Sequence, residues 1–275
     1  LIEEAPSPAI DDGLRREMGQ AAVVLARAAG YTNAGTVEFL LQGDEFFFLE
    51  VNPRLQVEHG VTEEVTGLDL VQLQIKIARG ESLEGLEIRE SGVAIEARIC
   101  AEDPDANFLP SPGRIARFDP ALGPRIRIDS GVTEGTLVSA DFDSLIAKVI
   151  ATGSNRAEAR ARLEYALRDF ELVVDGGASN KGYLLELLLT EDYNAGPVDT
   201  TWLDRWNQDR SGAREGSEPE ERDAFVAAAI LAYQQSRRAA RDSFYSDTGA
   251  LSRERIPLNQ GQQIDLNYEG ESYRL

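Results

Sequence analysis

Glu50-Val51-Asn52-Pro53-Arg54-Leu55-Gln56-Val57-Glu58-His59 alternates strictly as far as Glu58. Glu50, Asn52, Arg54, Gln56 and Glu58 share one parity, and Val51, Pro53, Leu55 and Val57 share the other. In an extended chain, residues two apart line the same face. The stretch therefore predicts a strand with an apolar back and a front of carboxylates, amides and a guanidinium. A solvated surface strand also alternates, but it rarely sets oxygen ligands beside an Arg and a Gln in this order. Glu50 and Asn52 offer oxygens to a hard cation such as Mg²⁺, which takes one or two carboxylates together with substrate phosphates. Glu38 would complete the set if the hairpin register allows. A three- or five-residue loop places Glu38 opposite Glu50, whereas a two-residue loop at Gly43-Asp44 would split them between faces. Arg54 supplies a planar fork for a small oxyanion, and Glu58 a general base. As a plain surface ion pair, the same two residues would contribute little. His59, the single histidine, reads as a hydrogen-bonded structural residue.

Outward from this stretch, residues 1–13 read as a loop punctuated by Pro6, Pro8 and Gly13. Leu14–Ala29 has helical periodicity, with Asp11 or Asp12 as cap and Gly30 as stop. Gly35–Leu41 and Phe46–Asn52 form a predicted hairpin, and a helix is expected over 63–78 with Gly67 inside its first turn. After a change of character at 78–92 come short strands at 93–99, 113–118, 125–128 and 145–151. Asn155-Arg156-Ala157-Glu158 is a capping-box pattern opening a helix to about Phe170. A strand at 171–174 and a helix at 180–190 follow. The polar, Gly- and Ser-containing stretch 202–218 reads as a linker. A long Ala-rich helix to about Ser243 and a hairpin at 263–275 close the chain.

The 275 residues suffice for one large core or two modest ones. A net charge of −20 argues against nucleic acid as a general partner, and no apolar run approaches a membrane span. The opening Leu1-Ile2-Glu3-Glu4 has neither a basic nor an apolar signal region, an abrupt start that suggests a fragment. One cysteine, Cys100, excludes an internal disulfide and fits a cytoplasmic setting. Lysine occurs only at Lys76, Lys148 and Lys181.

The run E-V-N-P-R-L-Q-V-E-H, followed by V-T-E and G-L-D-L, resembles the biotin carboxylase signature within an ATP-grasp domain. G-T-V-E-F-L, A-E-D-P, F-L-P-S-P-G and D-F-D-S-L-I-A-K match that family in the same order, over roughly residues 1–195. The resemblance implies an α+β chain. Residues 1–90 would be the C-terminal half of an ATP-grasp domain, and 91–200 a biotin carboxylase C-terminal domain. Residues 201–219 would be a linker, and 220–275 the helix and β-hairpin that begin a truncated middle domain. It implies Mg²⁺ or Mn²⁺ on Glu38, Glu50 and Asn52. Bicarbonate would sit on Arg54, Gln56 and the backbone of Val57, with Glu58 as its base. Arg98 would face the ureido oxygen of biotin, Leu40 would lie beneath the adenine of ATP, and Asp143 would lie close to biotin.

The activity implied is ATP-dependent carboxylation of biotin on a carrier domain, in an oligomeric acyl-CoA carboxylase of fatty acid metabolism with a carboxyltransferase as partner. The family's glycine-rich lid and ATP-binding lysines would lie before Leu1, so this stretch alone is expected to be a poor enzyme. Lys76, Lys148 and Lys181 do not replace those lysines in any motif. Two other readings remain open. One is a different ATP-grasp ligase, such as a carbamoyl-phosphate synthase, which would not need Arg98 or F-L-P-S-P-G. The other is a non-catalytic assembly module acting through residues 201–275.

Overall fold

A computed structural model describes residues 1–214, 228, 265–268 and 271–274. It divides into two compact units, Leu1–Val198 and Asp199–Leu275. The α+β character expected from the sequence is present throughout the first unit.

The chain opens with β1 (Ile2–Ala5) where a loop was expected. Helix α1 (Asp12–Ala28) begins at Asp11, whose carboxylate accepts from the Leu14 N–H, and it ends just before Gly30. β2 (Thr36–Gln42) and β3 (Glu45–Asn52) form the expected hairpin. The helix expected over 63–78 is instead two, α2 (His59–Thr66) and α3 (Leu70–Ala78). Gly67 caps α2 in the left-handed conformation at φ 69°, which glycine adopts without steric cost. Asp69 then opens α3 by accepting from the Gln72 N–H. Apolar periodicity continues across the break, so the pattern alone does not reveal it.

Next come β4 (Val93–Cys100), β5 (Glu102–Asp103), β6 (Leu109–Pro110), β7 (Gly113–Asp119), β8 (Ile126–Ser130), β9 (Leu137–Val138) and β10 (Leu145–Gly153). Helix α4 (Arg156–Asp169) is capped by Asn155, as the capping box predicts. The Glu158 carboxylate reaches back to the N–H and hydroxyl of Ser154, one residue earlier than the simplest box would have it. β11 (Glu171–Asp175), α5 (Lys181–Leu189) and α6 (Glu191–Ala195) complete the unit.

The main sheet is antiparallel with order β1-β4-β10-β8. β1, from the region expected to belong to the ATP-grasp part, thus pairs with β4, and residues on both sides of position 90 form one compact unit. One face of β4 and β10 carries Ile95, Ala97, Ile99, Ala147, Val149 and Ala151, all 1% exposed or less. Helix α4 packs on these strands and buries Ala159, Leu163, Ala166 and Leu167. Each large side chain so buried is worth about 1.5–3 kcal/mol. The other face bears α2, where Val61 and Val65 meet Ala94 and Ile150. Arg156 of α4 ties the sheet edge to α6: it binds the Glu4 carboxylate through two nitrogens, both at 2.7 Å, and the Tyr193 carbonyl at 2.8 Å.

In the second unit the stretch expected as a linker is helical, α7 (Trp202–Arg214). β12 (Asp265–Tyr268) and β13 (Glu271–Arg274) pair as the predicted closing hairpin. The long helix expected to about Ser243 lies outside the described residues. No helix among the described residues is long and apolar enough to cross a membrane.

Candidate functional site

The β2–β3 hairpin resolves its register in a way that neither loop length anticipated. Gln42 pairs with Glu45, so the loop is the two-residue Gly43-Asp44. From Phe39↔Phe48 the ladder then jumps to Glu38↔Glu50, leaving Leu49 as an extra residue. This β-bulge shifts the parity of β3 by one. Glu38 and Glu50 therefore stand directly opposite each other despite the short loop. Leu40 lies on the same side of β2 as Glu38, across from Phe47, and is half exposed.

β3 stops at Asn52 because Pro53 has no N–H for a ladder. The alternation read through Glu58 therefore belongs to a strand only as far as Asn52, and to an irregular segment after it. The Arg54 N–H turns back to the Asn52 carbonyl at 2.8 Å. The segment nonetheless folds its polar side chains together. The Asn52 amide nitrogen donates to Glu38 at 2.7 Å and to Glu50 at 3.1 Å. Gln56 donates to the same Glu38 oxygen at 2.8 Å. Arg54 donates to the Gln56 side-chain oxygen at 3.0 Å and to the Leu55 carbonyl at 3.1 Å. A donor thus sits between two carboxylates, where a cation would be attracted, and a guanidinium flanks it. Among the described residues no group of three or more His, Cys, Asp and Glu side chains gathers as a metal site. Any metal here would rest on two carboxylates and an amide oxygen, a donor set that suits Mg²⁺ completed by phosphates and water.

Glu58 stands at the start of α2 but does not cap it. Its carboxylate meets Arg98 of β4 at 2.6 Å. Arg98 also approaches Glu3 of β1 at 3.2 Å and Glu96 at 3.7 Å. One guanidinium is therefore shared by three carboxylates. His59 bonds through Nδ1 to the Gln56 carbonyl at 2.8 Å, as a structural histidine would. Asp143 is exposed and caps the start of β10 through the Leu145 N–H, outside this network.

Two residues here went unread in the sequence. Glu96 is fully buried, and neither carboxylate oxygen has a hydrogen-bond partner among the described residues. Burial pushes its pKa up to about 7, against the opposing pull of Lys148 and Arg98. Lys148 of β10 is 7% exposed and donates to the Val57 carbonyl at 2.9 Å. Both interrupt strands that are otherwise apolar apart from Arg98, V-A-I-E-A-R-I-C and L-I-A-K-V-I. A charge in such a run was the available signal.

The Glu96 carboxyl holds its proton more tightly folded than unfolded. The stability it allows is fully present below the unfolded value of 4.5 and is lost as pH rises through about 7, by up to about 3 kcal/mol. Glu96→Gln keeps the shape and cannot ionise, so it is expected to gain on the wild type as pH rises. Urea midpoints at about pH 5 and about pH 8 measure this. An equal wild-type-to-variant gap at both would contradict the burial argument.

The carbamoyl-phosphate synthase L chain ATP binding domain family matches residues 1–86. The biotin carboxylase C-terminal domain family matches residues 96–205. Biotin carboxylase 2 of Bacillus subtilis is 48% identical over 206 residues, covering 74% of this chain and 46% of that protein. The mitochondrial propionyl-CoA carboxylase alpha chain of Sus scrofa is 41% identical over 246 residues, 88% of this chain and 33% of that one. The biotin carboxylase domain of Hydrogenobacter thermophilus 2-oxoglutarate carboxylase, solved with MgADP, ADP and bicarbonate, superposes with a TM-score of 0.71. It is 37% identical and covers 74% of this chain and 46% of that one. The chain thus spans less than half the length of these relatives. The ATP-binding match alone would also suit a carbamoyl-phosphate synthase, but the second domain would not. Residues 1–86 thus belong to the ATP-binding domain family and residues 96–205 to the biotin carboxylase C-terminal domain family, in the order in which the chain aligns with biotin carboxylases.

Proposed function

We propose that this chain supplies the metal- and bicarbonate-binding half of a biotin carboxylase active site, within a protein that carboxylates carrier-bound biotin at the expense of ATP. The observation that carries this reading is the convergence of Glu38, Glu50, Asn52, Arg54 and Gln56 on one hairpin end, next to the Glu58–Arg98 pair.

In this reading Glu38, Glu50 and the Asn52 oxygen hold Mg²⁺ or Mn²⁺, which when bound supplies charge neutralisation for the phosphates of ATP. Arg54, Gln56 and the Val57 N–H hold bicarbonate in line with the γ-phosphate, a matter of positioning. Glu58 takes the bicarbonate proton as attack proceeds, giving carboxyphosphate and ADP. Carboxyphosphate breaks down to CO₂ and phosphate, and the phosphate removes the biotin N–H proton. Arg98 then faces the negative ureido oxygen, which is electrostatic stabilisation of developing charge. Leu40 offers the adenine an apolar contact, and Asp143 lies towards the biotin side. Partners in this reading are a biotin carrier domain and a carboxyltransferase, in a cytoplasmic, oligomeric acyl-CoA carboxylase. The extended similarity to a propionyl-CoA carboxylase alpha chain, which runs past residue 214, supports the acyl-CoA class.

The test is ADP release by the full-length protein. It is expected to require bicarbonate and to rise on adding free biotin. ADP release indifferent to both would defeat the proposal.

A further inference from the structure

Lys148 sits in the centre of the main sheet on β10, paired directly across from Arg98 on one side and Asp129 on the other. Two like charges facing each other across a strand pair repel, and a buried ammonium is costly unless it is paired and hydrogen-bonded. An apolar residue would fill this position in an otherwise apolar strand at lower cost. What Lys148 gains is specific: Asp129 lies 3.3 Å from its nitrogen, and the Val57 carbonyl accepts from it at 2.9 Å. Asp129 does not depend on Lys148 for a partner, because Arg127 already binds it through two nitrogens, at 2.8 and 2.9 Å. The bond to Val57 joins the sheet to the irregular segment that follows β3, across 91 positions of sequence.

We propose that Lys148 is a positioning residue for the bicarbonate cradle: its bond to the Val57 carbonyl fixes the Val57–Glu58 peptide from the sheet side. A peptide plane is rigid. Holding the Val57 carbonyl therefore sets where the Glu58 Cα sits and how its carboxylate leaves the backbone toward Arg98. The segment has no strand ladder to do this, because Pro53 ended it. Its remaining internal ties are local, such as the His59 N–H to the Gln56 carbonyl at 3.3 Å and the Val61 N–H to the Glu58 carbonyl at 3.2 Å. The inference rests on the bicarbonate-binding reading of Arg54, Gln56 and Val57.

The test compares wild type, Lys148→Met and Lys148→Arg in the full-length protein by two measurements. The first is hydrogen exchange at the His59 and Val61 amides, which needs no activity. The methionine variant is expected to exchange there at least about tenfold faster, with strands β4 and β10 still protected. The second is steady-state ADP release. The KM for bicarbonate is expected to rise about tenfold or more in Lys148→Met, while the KM for ATP stays within about twofold, since a small misplacement suffices to lose this much. Lys148→Arg keeps a donor and is expected to recover most of both effects. Exchange unchanged at His59 and Val61 would overturn the proposal. So would faster exchange with an unaltered bicarbonate KM, or protection lost equally throughout the sheet. A wild type whose ADP release ignores bicarbonate would defeat the function proposed above, and exchange alone would then decide whether Lys148 fixes the segment.

Discussion

Arg54→Ala in the full-length protein is expected to lower biotin-dependent turnover by at least about 100-fold and leave the fold intact. The Arg54 side chain is exposed, and its bonds are to the Leu55 carbonyl, the Gln56 amide oxygen and, at 3.4 Å, the Asn52 oxygen. None of these partners is buried behind it. The loss of stability should therefore stay within about 0.5 kcal/mol. The loss of function should be large, because the guanidinium is the only cation hydrogen-bonded within this hairpin-end network among the described residues. A bicarbonate anion without it would meet the repulsion of Glu38 and Glu50. Turnover and the KM for bicarbonate are measured together with a thermal melt. Turnover within about twofold of wild type, at an unchanged melting temperature, would show that the anion binds elsewhere.

Glu58→Gln is expected to reduce bicarbonate-dependent ADP release by about 10²–10⁴-fold, the range that general-base removal commonly costs. The Arg98 guanidinium loses its 2.6 Å partner but keeps Glu3 and Glu96 within 3.2 and 3.7 Å. The protein should therefore remain folded, with a stability change of about 1 kcal/mol for this partly buried pair, whose side chains are 26% and 30% exposed. Single-turnover formation of ADP, with and without free biotin, separates the possible roles. Loss of a base slows bicarbonate-dependent ADP formation whether or not biotin is present. Unchanged ADP formation without biotin, with only the biotin-stimulated component weakened, would assign Glu58 to holding Arg98 and not to proton transfer.

Much of this arrangement was legible in the order of residues. The α1 helix, with Asp11 as cap and Gly30 beyond its end, is local physics: capping and periodicity act within a few turns. The same holds for the Asn155 cap of α4 and for the β2–β3 hairpin, whose two runs are separated by a Gly-Asp turn. The chemistry of Glu50 to Glu58 was visible because oxygen ligands, an Arg and a Gln recur there at alternate positions. The grouping of Asn52, Arg54 and Gln56 follows from that spacing, even though the strand itself ends at Asn52.

Long-range placement was not legible, because it depends on which strand lies beside which. Period-two alternation assigns a face but not a neighbour. Glu38 and Glu50 were expected to face each other and do, but the expectation rested on a loop of three or five residues; the loop has two, and only the bulge at Leu49 brings the two carboxylates opposite. The first residues read as a loop because four residues before two prolines make a weak pattern. They form β1 because β4 offers them a paired edge. Gly67 divides one apolar periodicity into two helices through a single left-handed residue. Residues 202–214 are helical despite a composition that reads as a linker.

By itself, then, the sequence determined the elements with local signals, the resemblance to biotin carboxylases and the polar residues that gather at the hairpin end, since each depends on residue types a few positions apart. The tertiary structure alone decided that Glu3, Glu96 and Lys148 stand around Arg98 and Glu58. Those five residues come from positions 3, 58, 96, 98 and 148. They meet because the β1-β4-β10 ladder sets Glu3 opposite Glu96 and Lys148 opposite Arg98, while α2 packs over the same face. Burial then gives these charges their weight: a carboxylate or an ammonium removed from water must find its partner inside the protein, and only the assembled sheet brings that partner within reach.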